Sequence, residues 1–302
     1  MRIVSLLPST TEIVFDLGLA DQLLGVTFEC NYPTEARVGR EIVVGGMDTK
    51  DLTPLEIDEL VRERMAAGGG LYFLDEDALS RCNPDLILSQ DLCRVCAVPS
   101  GNVDEALDRL NCHATVLQID PQTLLDVIGS VQTVADAAGV SQRGHTLVAS
   151  LLARLSGLQE RVAAHLGERE RPKVFVLEWV DPPFLSGHWV PDIVEAAGGN
   201  PVLALSGERS TQTTWQSIND SNPDHVIVSP CGFDLEGATA QGMAIIDKLP
   251  PNCAIWAIDA DAVIVRPGPR LVEGAETIAA ALYGQEVAGL DEFPDRFIRR
   301  LR

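Results

Sequence analysis

Residues 81–96 read RCNPDLILSQDLCRVC, and half a chain later residues 220–232 read DSNPDHVIVSPCG. Each stretch sets Asn-Pro-Asp before an apolar run of strand length and follows the run with a cysteine-bearing polar loop. A short helical pattern precedes each, so the repeat is an internal duplication of a helix–strand–loop unit. In open α/β sheets ligands sit outside the carboxyl ends of the strands. The loops from Gln90 to Cys96 and from Pro230 to Phe233 are therefore predicted to face one ligand from opposite lobes, across a cleft.

Working outward from the first copy, RIVSLL (2–7) is a strand followed by Pro8. Ser9 lies three residues before Glu12, a capping-box pattern for a helix reaching about Leu19. LLGV (23–26) and EIVVGG (41–46) are further strands. Thr53-Pro54-Leu55-Glu56 reads as an N-cap with Pro at the first helical position, opening a helix toward Ala67. A short helix over Asp75 to Arg81, strands at 85–89 and 114–119 and a helix after Pro121 complete this half. Strands that alternate with helices imply parallel pairing.

Leu147, Leu151, Leu155, Leu158, Val162 and Leu166 recur at spacings of three and four, one face of a long helix over 141–167. Beyond it the pattern restarts with strands KVFVLEW (173–179), HVIVSP (225–230), AIWAI (254–258) and AVIV (262–265). Helices are predicted over Pro191 to Ala197 and from about Arg270 to Leu282. The fold class is thus α/β: two Rossmann-like lobes with central parallel sheets joined by one long helix. The divisions are residues 1–140, 141–168 and 169–284, with 285–302 as a peripheral tail.

A chain of 302 residues with 46% hydrophobic residues can bury two cores. Its formal net charge of -21 repels phosphate backbones and anionic lipid, which argues against nucleic acid and membrane surfaces as partners. No apolar run is long enough to span a bilayer. The opening MRIVSLLPSTTEIV lacks the pattern of a secretory leader, and seven cysteines, an odd number, suit a reducing compartment. Cytoplasmic location is the expectation.

Cys93 and Cys96 form a C-x-x-C at a strand end, a spacing that suits one metal, a redox pair or two buried thiols. A zinc or iron–sulfur site there would draw further ligands from Cys30, Cys231, His113 or His188. His188 and Trp189 lie between a strand and a predicted helix. Imidazole suits cobalt or iron and indole offers an apolar face, while packing of the pair explains them equally. Glu29, Cys30 and Tyr32 follow the second strand, and Arg266 and Arg270 flank a Pro-Gly-Pro turn with no compensating acid before Glu273. GxxxxGK[ST], GxGxxG after a strand, HExxH and GxSxG are all missing, which moves the expectation from catalysis to binding.

Taken together, RIVSLLPSTTEIVFDLGLADQLLGVTFECNYP, NPDLILSQ, PPFLSGHWVPDIVEAAGGNPVL, NPDHVIVSP and RPGPRLVEGAETIAAAL resemble the class III substrate-binding proteins of ABC importers that carry cobalamin or iron siderophores. The resemblance spans about residues 2–284. The PPF-x-SG segment and the loops after each Asn-Pro-Asp strand look most like the cobalamin-binding branch. It implies non-enzymatic binding of a corrinoid in a cleft between two lobes, with Glu29, Tyr32, Gln90, Phe184, Trp215 and Arg266 near the ligand. Cys93, Cys96, His188, Trp189 and Cys231 neighbour them, and His188 or a cysteine would coordinate the metal.

Three departures from the resembled family qualify this picture. Residues 50–74 look inserted, and Glu29 and Gln90 stand where the family has aromatics. Family members dock on permease arginines through an acidic residue in the helix before each Asn-Pro-Asp strand, and here those positions hold Asp77 and Gln216. Without a leader, storage, sensing or hand-over to a cytosolic corrinoid-using enzyme competes with delivery to an ABC permease. The alternatives are a cytosolic metal-centre or thiol enzyme built on Cys93 and Cys96, and an iron-siderophore or haem carrier.

Overall fold

The computed structural model describes residues 1–47, 49, 52–67, 70–90, 100–110 and 112–302. The chain divides into two compact units, Met1–Pro121 with Ile128–Ala149, and Gln122–Val127 with Ser150–Arg302.

The first unit is built on a six-stranded sheet. Its elements in chain order are β1 (Ile3–Ser5), α1 (Pro8–Asp16), β2 (Leu23–Thr27), β3 (Glu41–Gly46), α2 (Pro54–Ala66), β4 (Tyr72–Leu74), α3 (Glu76–Cys82), β5 (Leu86–Ser89), α4 (Ser100–Leu110) and β6 (Thr115–Gln118). Two helices follow that both units share: α5 (Leu124–Ala137), in this unit from Ile128, and the 26-residue α6 (Ser141–Leu166), in this unit up to Ala149 and in the second from Ser150. The strand order is β4-β3-β2-β1-β5-β6, and every pair is parallel except β3 with β4. β1 and β5 are buried along their whole length, as expected of central strands covered on both faces, whose sequences read as continuous apolar runs rather than alternations.

The second unit carries β7 (Lys173–Val180), β8 (Pro183–Leu185), α7 (Val190–Ala196), β9 (Asn200–Pro201), β10 (Thr211–Gln212), α8 (Trp215–Asp220), β11 (His225–Val228), α9 (Leu235–Ile245) and β12 (Ala254–Ile258). It ends with α10 (Ala260–Val263), α11 (Leu271–Tyr283), α12 (Gln285–Ala288) and β13 (Ile298–Arg300). Its sheet runs β10-β8-β7-β11-β12-β13, with β9 beside the start of β7. β7, β11 and β12 are mutually parallel.

The duplicated units are α3–β5 and α8–β11, and their Asn-Pro-Asp is a folding device. Asn83 and Asn222 both adopt left-handed backbone, at φ 41° and 47°, a region that Asn tolerates better than other side-chain-bearing residues. The following Pro cannot extend the helix. The Asp then staples the neighbouring strand at its amino end. Asp85 accepts the Arg2 backbone N–H at 2.7 Å, and Asp224 accepts that of Lys173 at 2.7 Å. The backbone reciprocates, Asp85 N–H to Arg2 O at 2.8 Å and Asp224 N–H to Lys173 O at 2.9 Å.

Four local expectations meet corrections. Ser9 does not cap α1: Pro8 opens the helix after Leu7, which has no side-chain cap, and Ser9 is buried inside the first turn. The preset φ of Pro suits the first helical position, which moves the start one residue upstream of the Ser9–Glu12 pattern. AVIV (262–265) is no strand, because Asp259 accepts the Ala262 N–H at 2.9 Å and caps α10. So short an apolar run does not declare its own periodicity. The segment 285–302 adds β13 antiparallel to β12. Arg266 does have a compensating acid, Asp261, at 3.1 Å.

Candidate functional site

In the first unit the carboxyl edge of the sheet begins with a buried polar network. Ser5 Oγ lies 2.7 Å from Thr10 Oγ1, and Thr11 Oγ1 donates to Ser5 Oγ at 2.9 Å. Cys30 Sγ joins it, 3.1 Å from Thr11 Oγ1 and 3.3 Å from Thr27 Oγ1. Proposed as a metal ligand, Cys30 is thus a buried thiol that ties the end of β2 to α1. Buried polar atoms must find partners of this kind or cost free energy.

Next to this network, Phe28 N–H donates to Val44 O at 3.1 Å, which places Phe28 and Glu29 at the edge itself. Tyr72 pairs with Gly46 at the start of β4, and its hydroxyl donates to Glu29 Oε1 at 3.0 Å. The rings of Phe28 and Tyr72 stand 6.1 Å apart. A Cβ on Gly46 would come within 2.4 Å of the Phe28 ring, so glycine is what lets the ring lie there. Tyr32 is 45% exposed and Gln90, just beyond β5, is 7% exposed. Cys93 and Cys96 lie outside the described residues.

The second unit gathers its own set at the carboxyl ends of β7, β11 and β12. The Trp179 and Phe233 rings stand 5.9 Å apart, and Cys231 donates its N–H to Glu178 O at 3.2 Å. Asp261 N–H approaches Phe233 O at 3.4 Å, and its carboxylate pairs with Arg266 at 3.1 Å. Phe184 lies in β8 opposite Trp179. Trp215 opens α8, packs on the core and receives the Lys248 ammonium 5.1 Å from its ring centroid, a cation–π contact.

The segment 186–189 leaves β8 in mid-sheet, with Ser186 N–H bonded to Val176 O. Gly187 packs against the 208–210 backbone so closely that a Cβ would meet Ser210 N at 2.3 Å. His188 is left-handed, at φ 52°, and donates its N–H to Glu208 O at 2.6 Å. Its ring stacks on Trp189, and its Nδ1 is buried with no partner among the described residues. Burial, reinforced by Arg209, holds the imidazole below its usual pKa and so neutral. Trp189 is 6% exposed and donates to Ile264 O at 2.8 Å, an indole engaged in packing.

Phe28, Tyr72, Trp179, Phe233 and Asp261 escaped sequence reasoning. Trp179 and Phe233 had a signal, since one ends a strand and the other lies in a loop already assigned to the ligand face. Among the described residues no group of three or more His, Cys, Asp or Glu is placed to hold a metal ion, and no helix is long and apolar enough to cross a membrane.

A family model of periplasmic binding proteins matches residues 3–249. The chain belongs to the periplasmic binding protein family. As such it is a solute-binding protein rather than an enzyme. The ABC transporter substrate-binding lipoprotein YvrC of Bacillus subtilis (strain 168), described as uncharacterized, is 26% identical over 289 residues, 93% of this chain and 80% of that one. The vitamin B12-binding protein of Yersinia pestis (strain Pestoides F) is 24% identical over 243 residues, 79% of this chain and 73% of that one. Among solved structures, a periplasmic heme binding protein from Pseudomonas aeruginosa superimposes with a TM-score of 0.69 at 17% identity, covering 93% of this chain and 92% of that one. The α/β architecture and the mostly parallel sheets described above are those of this periplasmic binding protein fold.

Proposed function

We propose that the chain is a corrinoid-binding member of the family, using the loops at the carboxyl ends of its strands. The observation that carries this reading is the kinship over 243 residues with a protein named for vitamin B12 binding; the likeness to the heme binding protein, at 17% identity, speaks to fold alone. The chemistry of the edges is in keeping with it. Each unit has such an edge of its own: Phe28–Tyr72 with Glu29 and Gln90 in the first, and Trp179–Phe233 with Arg266 in the second, in each case apolar area beside polar groups of the kind that hold a large ligand.

We place this activity in the cytoplasm. Among the described residues Cys82, Cys112, Cys231 and Cys253 carry free thiols, a state that a reducing compartment preserves. There the protein stores or senses the corrinoid or hands it to a corrinoid-using enzyme. Recovering the mature protein outside the cytoplasmic membrane would transfer the role to delivery toward an ABC permease.

Absorbance titration with cobalamin and with cobinamide tests the ligand. A saturable 1:1 change in the corrin bands, with a Kd of about 1 μM or below, is expected. No change with either corrinoid, alongside a saturable change with hemin, overturns the reading.

A further inference from the structure

The chain carries 44 Asp and Glu against 23 Lys and Arg, and Arg2, Arg81, Arg109, Arg154, Arg296 and Arg299 each hold a carboxylate. Arg171 and Lys173, at the entry to β7, do not. Neither side chain has an ion pair or a hydrogen bond among the described residues. With Arg169 they line a cavity of about 820 Å³ at the amino ends of β7 and β11, the far end of this sheet from the loops proposed to meet the corrinoid. Arg169 donates to His165 O and, at 3.2 Å, to Leu166 O. It thereby covers the carbonyl end of α6, which would otherwise repel an anion. The Tyr283 phenol is pushed up by burial and pulled back by Arg171 and Arg169, so the two guanidiniums converge on one ring.

A second cavity adjoins the first and shares Leu166 and Arg171 with it. It is a groove of about 920 Å³ between α6, α7 and the start of α5, and every residue that lines it belongs to the second unit. Leu124, Leu125, Leu152, Leu155, Val162 and Leu166 make it apolar. Leu125 is 65% exposed and Leu152 40%, leucine surface that the fold itself leaves uncovered. From Leu152 to Leu166 the groove follows α6 for about 21 Å and ends at the cations. The acids on its other wall leave it open to an apolar chain: Asp192 accepts the Leu124 N–H at 2.8 Å, and Glu195 is exposed.

An apolar groove that ends at two uncompensated cations matches a molecule with an extended hydrocarbon chain and an anionic head. We propose that the second unit binds a long-chain fatty acid here, its chain along α6 and its carboxylate between Arg171 and Lys173. A guanidinium fork suits a carboxylate, and this corner attracts an anion that the rest of so acidic a chain repels. The site is separate from the corrinoid reading and does not depend on it.

The test is displacement of cis-parinaric acid, whose fluorescence rises in an apolar site, from the full chain by palmitate, hexadecanol and acetate. Palmitate is expected to displace the probe with a Kd of about 10 μM or below. Hexadecanol, which lacks the charge, and acetate, which lacks the chain, should each bind at least about tenfold more weakly. Arg171→Gln combined with Lys173→Gln should weaken palmitate about tenfold and leave hexadecanol unchanged. Leu152→Asp, at an exposed position outside the core, should weaken both by setting a carboxylate in the groove. No displacement by palmitate, equal binding of palmitate and hexadecanol, or palmitate affinity within twofold of wild type in both folded variants defeats the proposal. Displacement of the probe by cobalamin would place it in the corrinoid site and defeat the proposal as well.

Discussion

Arg154 of α6 grips Glu276 of α11 through two hydrogen bonds, Nε to Oε1 at 3.1 Å and Nη2 to Oε2 at 2.6 Å. The fork-on-carboxylate geometry is the strong form of the ion pair, and the Glu276 side chain is only 10% exposed against 45% for Arg154. Arg154→Met should strand that carboxylate and cost about 1–3 kcal/mol, below the figure for a fully buried pair because the arginine is half in water. Thermal unfolding should show Tm lowered by about 2–5 °C, and Arg154→Met with Glu276→Leu should recover most of it. A single variant as stable as wild type would show that the pair contributes nothing.

Acid should loosen the amino end of β1. The Arg2 side chain and backbone hold the Asp85 carboxyl down at about 2, against about 3.9 in an unfolded chain. A depressed carboxyl stabilises the fold above the unfolded value and loses that contribution as pH falls toward 2. Denaturant midpoints from pH 5 to pH 2 should therefore fall less steeply in Asp85→Asn than in wild type. Parallel profiles would refute this account of the staple.

His188 should make the fold sensitive to mild acid. Its imidazole is held below the usual value by burial and by Arg209, so the unfolded chain binds a proton more readily. The contribution is complete above about pH 6.5 and is lost as pH falls below it. His188→Asn tolerates the left-handed backbone and removes the titration. The loss of Tm between pH 7.5 and 5.5 should be smaller in this variant; an equal loss would assign the sensitivity elsewhere, His225 being the other histidine lowered by burial.

Thiol reactivity should divide the described cysteines. Burial pushes the Cys82 thiol up to about 11, and Cys30 and Cys253 are also buried, while Cys112 and Cys231 are half-buried. Because the thiolate is the reactive species, peptide mapping after brief iodoacetamide treatment at pH 8 should find Cys112 and Cys231 modified. Cys30, Cys82 and Cys253 should react only after denaturation. Early modification of Cys82 would contradict its packing.

What the sequence made legible was what depends on neighbours in the chain. Thr53 and Glu56 announce their capping box and form it, Thr53 N–H to Glu56 Oε2 at 2.8 Å, and the 3.6-residue spacing of leucines gives α6. The site was less legible because its pairs are made by register. Tyr72 meets Glu29 across 43 residues only because β4 turns antiparallel, which no local pattern in 47–71 declares. The pairing of Asp261 with Arg266 was hidden by reading 262–265 as extended chain, which would hold them about 16 Å apart. The helical turn of α10 folds that distance to a salt bridge.

The staples formed by Asp85 and Asp224 lie at the opposite ends of β5 and β11 from the carboxyl ends proposed to meet the ligand, a separation of about 13 Å along four-residue strands. If binding is tuned at those carboxyl ends, the substitutions that retune it fall at the other end of each strand from the residues that close the sheets. Recognition and foldability can be inherited separately, so a lineage of such chains can exchange one cargo for another without passing through an unfolded ancestor.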